Sequence, residues 1–328
     1  MIFHDKNISL LGATGSMGQT LMRRILSDEW GKPLSIVAFS RDEEKQWEMK
    51  KEFNDERIKY QIGDVRRYND VVMAIRYADY VINTAALKQV PNCEYFPYQA
   101  MLTNCIGVHN IIKAVQSIEP KPLKVITIST DKACKPVNAY GISKALQEKL
   151  IIAANFNTLS THFLAARYGN VLMSRGSVIP LFLEQIKAGG PVTVTHPDMT
   201  RFLLTLDMAV DTVMEALMHG QGGDIYIPMC KSAMVTDLAH VLIGDKSIEV
   251  ILTGIRPGEK IDEILVSEEE THRTQRQGDY YVIQSPLQGT HKGKLHKEYC
   301  SRDHLLTKQS LRKFLTKSFV NMRYEQIN

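Results

Sequence analysis

The stretch Asn7-Ile-Ser-Leu-Leu-Gly-Ala-Thr-Gly-Ser-Met-Gly18 decides the fold. Its first five residues read as a buried strand. Gly12, Gly15 and Gly18 follow at a spacing of three and three, and a helical pattern runs from Gln19 to Leu26. Glycines placed this way after a strand let the backbone pass close to a pyrophosphate at the helix N-terminus. The commoner phosphate turn is G-x-G-x-x-G, and a tight strand-to-helix turn would use the same glycines, so the chain beyond Leu26 carries the decision.

That chain alternates. Leu34–Phe39, Ile58–Ile62, Tyr80–Asn83, Val125–Ile128 and Thr161–Ala166 read as further strands, with helical patterns between them, including one from about Pro97 to Ser117. Strand and helix alternating every 20 to 30 residues predict an α/β fold, a Rossmann-like doubly wound parallel sheet. From Ser174 onward the alternation loosens. Helices are expected over Leu181–Ala188, Asp207–Met218 and Val235–Ile243, a strand over Asp224–Ile227, and a last helix opened by Gly254-Ile-Arg-Pro-Gly-Glu-Lys260 and running to about Val266. We expect residues 1–172 to form a dinucleotide-binding unit to which later segments can return. Residues 173–328 then form a smaller mixed α/β lobe.

Composition narrows the function classes. The 328 residues are 44% hydrophobic and 23% charged, with a net charge of +4. So small an excess argues against a nucleic-acid surface, and the basic region from His291 to Lys317 reads as a solvated face. No apolar run approaches the roughly 18 residues of a membrane span, and no signal-peptide pattern opens the chain. The five cysteines are scattered with no Cys-x-x-Cys pair, which argues against disulfide and metal frameworks and fits the reducing cytoplasm. No metal is expected.

Two positions carry chemistry. The second strand runs out into Ser40-Arg41-Asp42, with Lys45 one turn on. An acidic residue at this corner favours NAD and an arginine accommodates a 2′-phosphate. Two cations and a hydroxyl suit a phosphate better than a diol, so NADP is expected, although Asp42 also fits a helix N-cap. Asp64, closing the third strand, stands where an adenine amino group would be hydrogen-bonded. Further on, Ser129-Thr-Asp-Lys-Ala-Cys-Lys-Pro-Val-Asn-Ala-Tyr-Gly-Ile-Ser-Lys144 begins at the carboxyl end of a strand, the edge where open α/β sheets bind ligands. Tyr140 and Lys144 share one helix face, one turn apart. An ammonium that close to a phenol favours the phenolate. Arg175, Arg201, Arg256 and Lys260 recur at turns of the second half and together suit an anionic substrate.

These residues resemble the extended short-chain dehydrogenase/reductase superfamily. More narrowly, the chain is similar to the UDP-N-acetylglucosamine 4,6-dehydratases of the inverting type. The closer markers are Ser40-Arg-Asp-Glu, Ala85-Ala-Leu-Lys-Gln-Val-Pro91, Ser129-Thr-Asp-Lys132, Arg167-Tyr-Gly-Asn170, Ser174-Arg-Gly-Ser-Val-Ile-Pro180, Met199-Thr-Arg-Phe202 and Gly254–Lys260. The resemblance covers roughly residues 7 to 270. It implies a redox-neutral reaction: oxidation at carbon 4 of the sugar, loss of water across carbons 5 and 6, and reduction at carbon 6. It implies Tyr140, assisted by Lys144, as base for the 4-hydroxyl. Lys132 becomes the base for the carbon 5 proton, provided burial and nearby positive charge lower its pKa. Asp131 becomes the acid for the 6-hydroxyl, with Thr130 bonding the 4-oxygen. NADP would be lined by Gly12, Thr14, Gly15, Ser16, Met17, Gly18, Ser40, Arg41, Lys45, Asp64, Val65, Ala85, Ala86, Thr103, Tyr140 and Lys144, the last holding the nicotinamide ribose. The UDP-sugar would meet Lys88, Asn170, Ser177, Val178, Thr193, Arg201, Arg256 and Glu259. The resemblance also implies homo-oligomers, from dimers to hexamers. A 4-epimerase or 4-reductase of the same superfamily is the alternative.

Overall fold

The computed structural model describes residues 1–158, 160–174, 177–287 and 293–327, with side chains described up to Phe319. Arg175 and His291 lie outside the described residues. The expected alternation is present: β1 (Asn7–Leu11), α1 (Ser16–Leu26), β2 (Ser35–Ser40), α2 (Glu43–Phe53), β3 (Ile58–Ile62), α3 (Tyr68–Ile75) and β4 (Tyr80–Asn83). Then come α4 (Val90–Tyr95), α5 (Pro97–Ala100), a π-helical segment Met101–Ile106, α6 (Gly107–Ser117), β5 (Lys124–Thr130), α7 (Ala139–Ala154) and β6 (His162–Tyr168).

The strands order as β3-β2-β1-β4-β5-β6, all parallel, which is the doubly wound arrangement. Order reverses between β1 and β4, and the crevice above that point is where such sheets take ligands. Three later strands return to the same sheet. Ile225–Pro228 pairs in parallel with β6, and the hairpin Thr274–Gln277/Tyr280–Ile283 adds antiparallel to it. One chain segment from the second half therefore completes the sheet of the first.

Burial follows the strand sequences. β1 and β4 are covered on both faces, so burial runs continuously along them rather than alternating, and Ser9 and Asn83 are buried with their apolar neighbours. α1 turns Leu21, Met22 and Ile25 inward, each stabilising by roughly 1.5–3 kcal/mol on burial. A separate apolar cluster built on Ile179, Phe182, Val192, Leu203, Leu238 and Leu311 holds the second lobe. Among the described residues no helix is long and apolar enough to cross a membrane.

Two expected elements differ. The helix from Pro97 to Ser117 is present without a gap, but its middle, Met101–Ile106, is π-helical rather than α-helical; Pro97 takes the N-terminal position of α5, where its missing N–H costs nothing. The helix from Gly254 to Val266 is a turn followed by the short strand Ile264–Val266. Gly254 and Gly258 both take positive φ, at 86° and 80°, and α-helix cannot pass through them.

Candidate active site

The glycine turn meets its geometric demand. Gly12 has φ +82°, and a Cβ there would lie 2.6 Å from the Ala85 backbone nitrogen. At Gly18 a Cβ would lie 2.5 Å from the Ala13 carbonyl, so α1 packs against the turn itself. Gly15 is the N-cap of α1, with no side-chain cap and no acidic residue in the first turn. The first N–H groups of α1 are thus left for an anion.

A cleft of about 1130 Å³ opens above the sheet. It is lined by Gly12, Thr14, Gly15, Ser16, Met17, Ser40, Arg41, Lys45, Val65, Ala85, Ala86, Thr103, Thr130, Lys132, Tyr140 and Lys144. On the side of the second lobe stand Lys88, Asn170, Ser177, Val178, Thr193, Arg201, Arg256 and Glu259. Several buried polar atoms along this wall have no hydrogen-bond partner: Thr103 Oγ1, Ser129 Oγ, Asn170 Oδ1, Ser177 Oγ and Glu263 Oε2. Most buried polar groups in folded proteins are paired, and a ligand with donors and acceptors in the cleft would satisfy these atoms.

Three expected residues stand behind the wall. Gly18 is packed under the turn. Asp64 is taken up by Arg66, whose Nε and Nη2 reach its Oδ2 at 2.8 and 2.5 Å, with Arg41 at 3.8 Å. That carboxylate is not free for an adenine amino group. Asp131 is fully buried; its Oδ1 accepts from Thr130 Oγ1 and from Lys132 Nζ, both at 2.9 Å, and its Oδ2 has no partner. At the second-strand corner Asp42 is the N-cap of α2, accepting from Lys45 N, and it also pairs with the Lys45 ammonium. Ser40 is buried and its hydroxyl accepts from Gln46. Arg41 is left as the exposed cation of that corner.

Around Tyr140 the charges differ from the expected pattern. Lys144 Nζ donates to the Ile128 carbonyl at 2.6 Å and to Gln147 Oε1 at 2.8 Å. Burial pulls its pKa down to about 8, with Glu148 one turn on opposing. Burial pushes the Tyr140 phenol up to about 12, and the cation that opposes this is Lys132, helped by a hydrogen bond with Thr130. Lys132 itself departs from the expectation of a lowered pKa. Burial acts in that direction, but Asp131 at 2.9 Å and Glu263 at 3.4 Å outweigh it and hold the ammonium above its ordinary value. Glu263 was not expected in the site. It follows the Gly254–Lys260 motif by three residues, in a stretch whose sequence reads as helix, and nothing in that pattern tells which of Asp262 and Glu263 points inward.

The Gly254–Lys260 loop is latched onto the turn between β5 and α7. Asn138, the N-cap of α7, accepts from Gly141 N and donates to the Gly258 carbonyl, both at 2.7 Å. Lys260 Nζ donates to the Cys134 carbonyl at 2.6 Å. Arg201 spends Nη1 on the carbonyls of Thr200 and Ile261 and brings Nε to 3.8 Å from Glu263. The cleft therefore holds a phenol, an ammonium and two carboxyls within one connected network, an arrangement able to move protons at neighbouring atoms of a bound alcohol.

Comparison with known proteins agrees with this fold. A family model described as "Polysaccharide biosynthesis protein" matches residues 8–285. A relative from Rickettsia bellii named UDP-glucose 4-epimerase is 45% identical over 293 residues, covering 88% of this chain and 85% of its own. The X-ray structure of Pen from Bacillus thuringiensis superposes with a TM-score of 0.90 at 36% identity, covering 97% of this chain and 99% of Pen. DesIV, a dTDP-glucose 4,6-dehydratase from Streptomyces venezuelae, shares the fold at 18% identity and a TM-score of 0.69, covering 78% of this chain and 86% of DesIV. On a match that spans most of its length, the chain belongs to the polysaccharide biosynthesis protein family.

Proposed function

We propose that the chain is a UDP-N-acetylglucosamine 4,6-dehydratase, of the 5-inverting kind, working with NADP. Its product is UDP-2-acetamido-2,6-dideoxy-hexos-4-ulose, L-arabino in configuration. The observation that carries this reading is the Asp131–Lys132 pair beside the Tyr140 phenol. Chemistry at carbon 4 alone needs the phenol and Lys144; an acid and a base next to them serve an elimination.

The dinucleotide would be held by the Gly12–Gly15 turn, the α1 N-terminus, Thr103 and Lys144, with Arg41 toward a 2′-phosphate. When bound, NADP⁺ supplies a hydride acceptor at carbon 4 and, reduced, a hydride donor at carbon 6. The rest falls to the chain's own side chains. Tyr140 takes the 4-hydroxyl proton, its phenolate favoured against burial by Lys132 and Thr130. The 4-keto sugar then has an acidic carbon 5 proton. Lys132 and Asp131 together hold one mobile proton. Its transfer across their 2.9 Å hydrogen bond turns an ammonium and a carboxylate into an amine and a carboxylic acid. The amine takes the carbon 5 proton as the double bond forms. Asp131 lies behind the wall, so its proton reaches the 6-oxygen by way of the Thr130 hydroxyl, which lines the cleft 2.9 Å from Asp131 Oδ1, as the carbon–oxygen bond breaks and water leaves. This sequence answers the raised pKa of Lys132: the resting ion pair is the proton isomer of the working pair. A homo-oligomer in the cytoplasm belongs to the same reading.

The second reading is a UDP-sugar 4-epimerase, favoured by the name of the 45% identical Rickettsia relative. Proton NMR of the product from UDP-N-acetylglucosamine separates the two. A dehydratase gives a keto sugar with a methyl group at carbon 6 and no net cofactor consumption. An epimerase gives the 4-epimer with its 6-hydroxyl intact, and that outcome overturns the proposal. Within the dehydratase reading, Tyr140→Phe abolishes NADP reduction in a single turnover; an undiminished absorbance change at 340 nm contradicts the role given to the phenol.

A further inference from the structure

We propose that Glu263 is a positioning residue that clamps Lys132 as an ammonium against Asp131, so that the pair carries its one shared proton when the sugar arrives. The inference rests on the dehydratase reading and deepens it. Glu263 is only 2% exposed, yet it lines the cleft. Its Oε1 lies 3.4 Å from Lys132 Nζ, while its Oε2 has no hydrogen-bond partner. Its backbone is fixed by the Ser301 hydroxyl, which accepts from Glu263 N at 2.9 Å.

The groups that face Lys132 come from four elements. Asp131 and Thr130 stand at the end of β5, Tyr140 on α7, Arg201 on the strand Thr200–Leu203, and Glu263 on the loop after Gly258. Arg201 disfavours the ammonium; Asp131 and Glu263 favour it. Lys260, 3.9 Å from Glu263, offsets part of the Glu263 charge. Without Glu263 the Lys132 ammonium would face Asp131 on one side and Arg201 on the other.

The consequence concerns proton count. With two protons on the Asp131–Lys132 pair there is no base for carbon 5. With none there is no acid for the 6-oxygen. Only the one-proton state eliminates water, and its pH window is bounded by the two macroscopic pKa values of the pair. Glu263 raises the upper bound by stabilising the cation.

The test is Glu263→Gln, which keeps volume and removes the charge, with Glu263→Asp as a charge-retaining companion. Competitive labelling with acetic anhydride across pH 7 to 11, read for Lys132 by peptide mass spectrometry, reports its titration without any turnover. We expect Lys132 in Glu263→Gln to become reactive at a pH lower by about one unit or more, and Glu263→Asp to stay near the wild type. The alkaline limb of the kcat profile for UDP-N-acetylglucosamine should move down with it. An unchanged Lys132 titration in Glu263→Gln overturns the clamp. A shifted titration in Glu263→Gln, where the wild-type protein itself forms no keto sugar, supports the clamp and overturns the dehydratase reading instead, so the two failures are distinguishable.

Discussion

Lys132→Arg folds as the wild type does, binds the dinucleotide, and loses water elimination by roughly 10³-fold, the scale of a general base. The argument turns on what each substitution removes. Lys132 is a counter-ion for two buried carboxylates and, in the proposed mechanism, also a group that has to give up a proton. Its Nζ lies 2.9 Å from Asp131 and 3.4 Å from Glu263. Lys132→Ala takes away both functions and leaves Asp131, fully buried, with Thr130 as its remaining side-chain donor. A buried carboxylate stripped of its cation is costly, so the alanine variant loses stability as well as activity. Arginine keeps the charge but stays protonated under all working conditions, so it preserves the counter-ion and removes the base. Quenched-flow product analysis from UDP-N-acetylglucosamine should show the carbon 4 oxidation proceeding in Lys132→Arg and the elimination stalled. Turnover near the wild-type rate would mean that a fixed cation is all the site requires of this position.

The fold was largely legible because its signals are local. β1, β3 and β4 begin and end where the sequence reads as strand, and Gly12 takes the positive φ that the turn requires. The helix from Pro97 onward was legible as helix, but its π-helical middle was not. The π segment places Thr103 toward the cleft and turns Asn104 inward, where its side chain bonds Leu87 N at 2.9 Å and Ser143 Oγ at 2.9 Å. Those are tertiary partners, and no periodicity encodes them. The strand hairpin Thr274–Ile283 is short and pairs with a strand far from it in sequence, so its place at the sheet edge had no local marker.

Site membership was legible to a similar depth, and charge states were not. Asp131, Lys132, Tyr140 and Lys144 come together because one strand end and one helix carry them all. The ionisation of Lys132 depends on Glu263, a residue brought in by the other half of the chain. The Tyr140–Lys144 spacing suggested that Lys144 would act on the phenol. In the folded site Lys144 is occupied by the Ile128 carbonyl and Gln147, and Lys132 has that influence. Spacing gives the face of a helix, whereas hydrogen-bond partners decide what a side chain on that face can do.

Beneath the cleft, Arg167→Ala should be the most destabilising single change. Arg167 is 2% exposed and makes two bidentate pairs: Nε and Nη2 with Glu148, Nη1 and Nη2 with Glu270, all at 2.7 to 2.9 Å. Its Nη1 also donates to the Leu265 carbonyl at 2.8 Å. Glu148 stands one turn beyond Lys144 on α7, Arg167 is on β6, and Glu270 lies in the turn Glu268–Arg273, so the network ties the catalytic helix to the far segment of the chain. Removing one partner strands buried charge, at a cost of about 3–5 kcal/mol. The pH dependence distinguishes this from lost packing. Burial opposes the Glu270 carboxylate, but Arg167 outweighs it and holds its pKa down to about 2. In the wild type that contribution is fully present above the unfolded value near 4.5 and is lost as pH falls toward 2. Without Arg167, burial should prevail over the contacts that remain, Arg273 at 3.5 Å and the Ser267 N–H at 3.1 Å, and raise the Glu270 pKa above its unfolded value. The variant then gains stability as pH falls through that raised value, while the wild type changes little. Urea denaturation midpoints at about pH 5 and pH 8 should therefore show a deficit that is smaller at the lower pH. A deficit equal at both would assign the loss to the cavity left by the arginine stem, and the buried charge network would not be what secures α7 to the C-terminal segment.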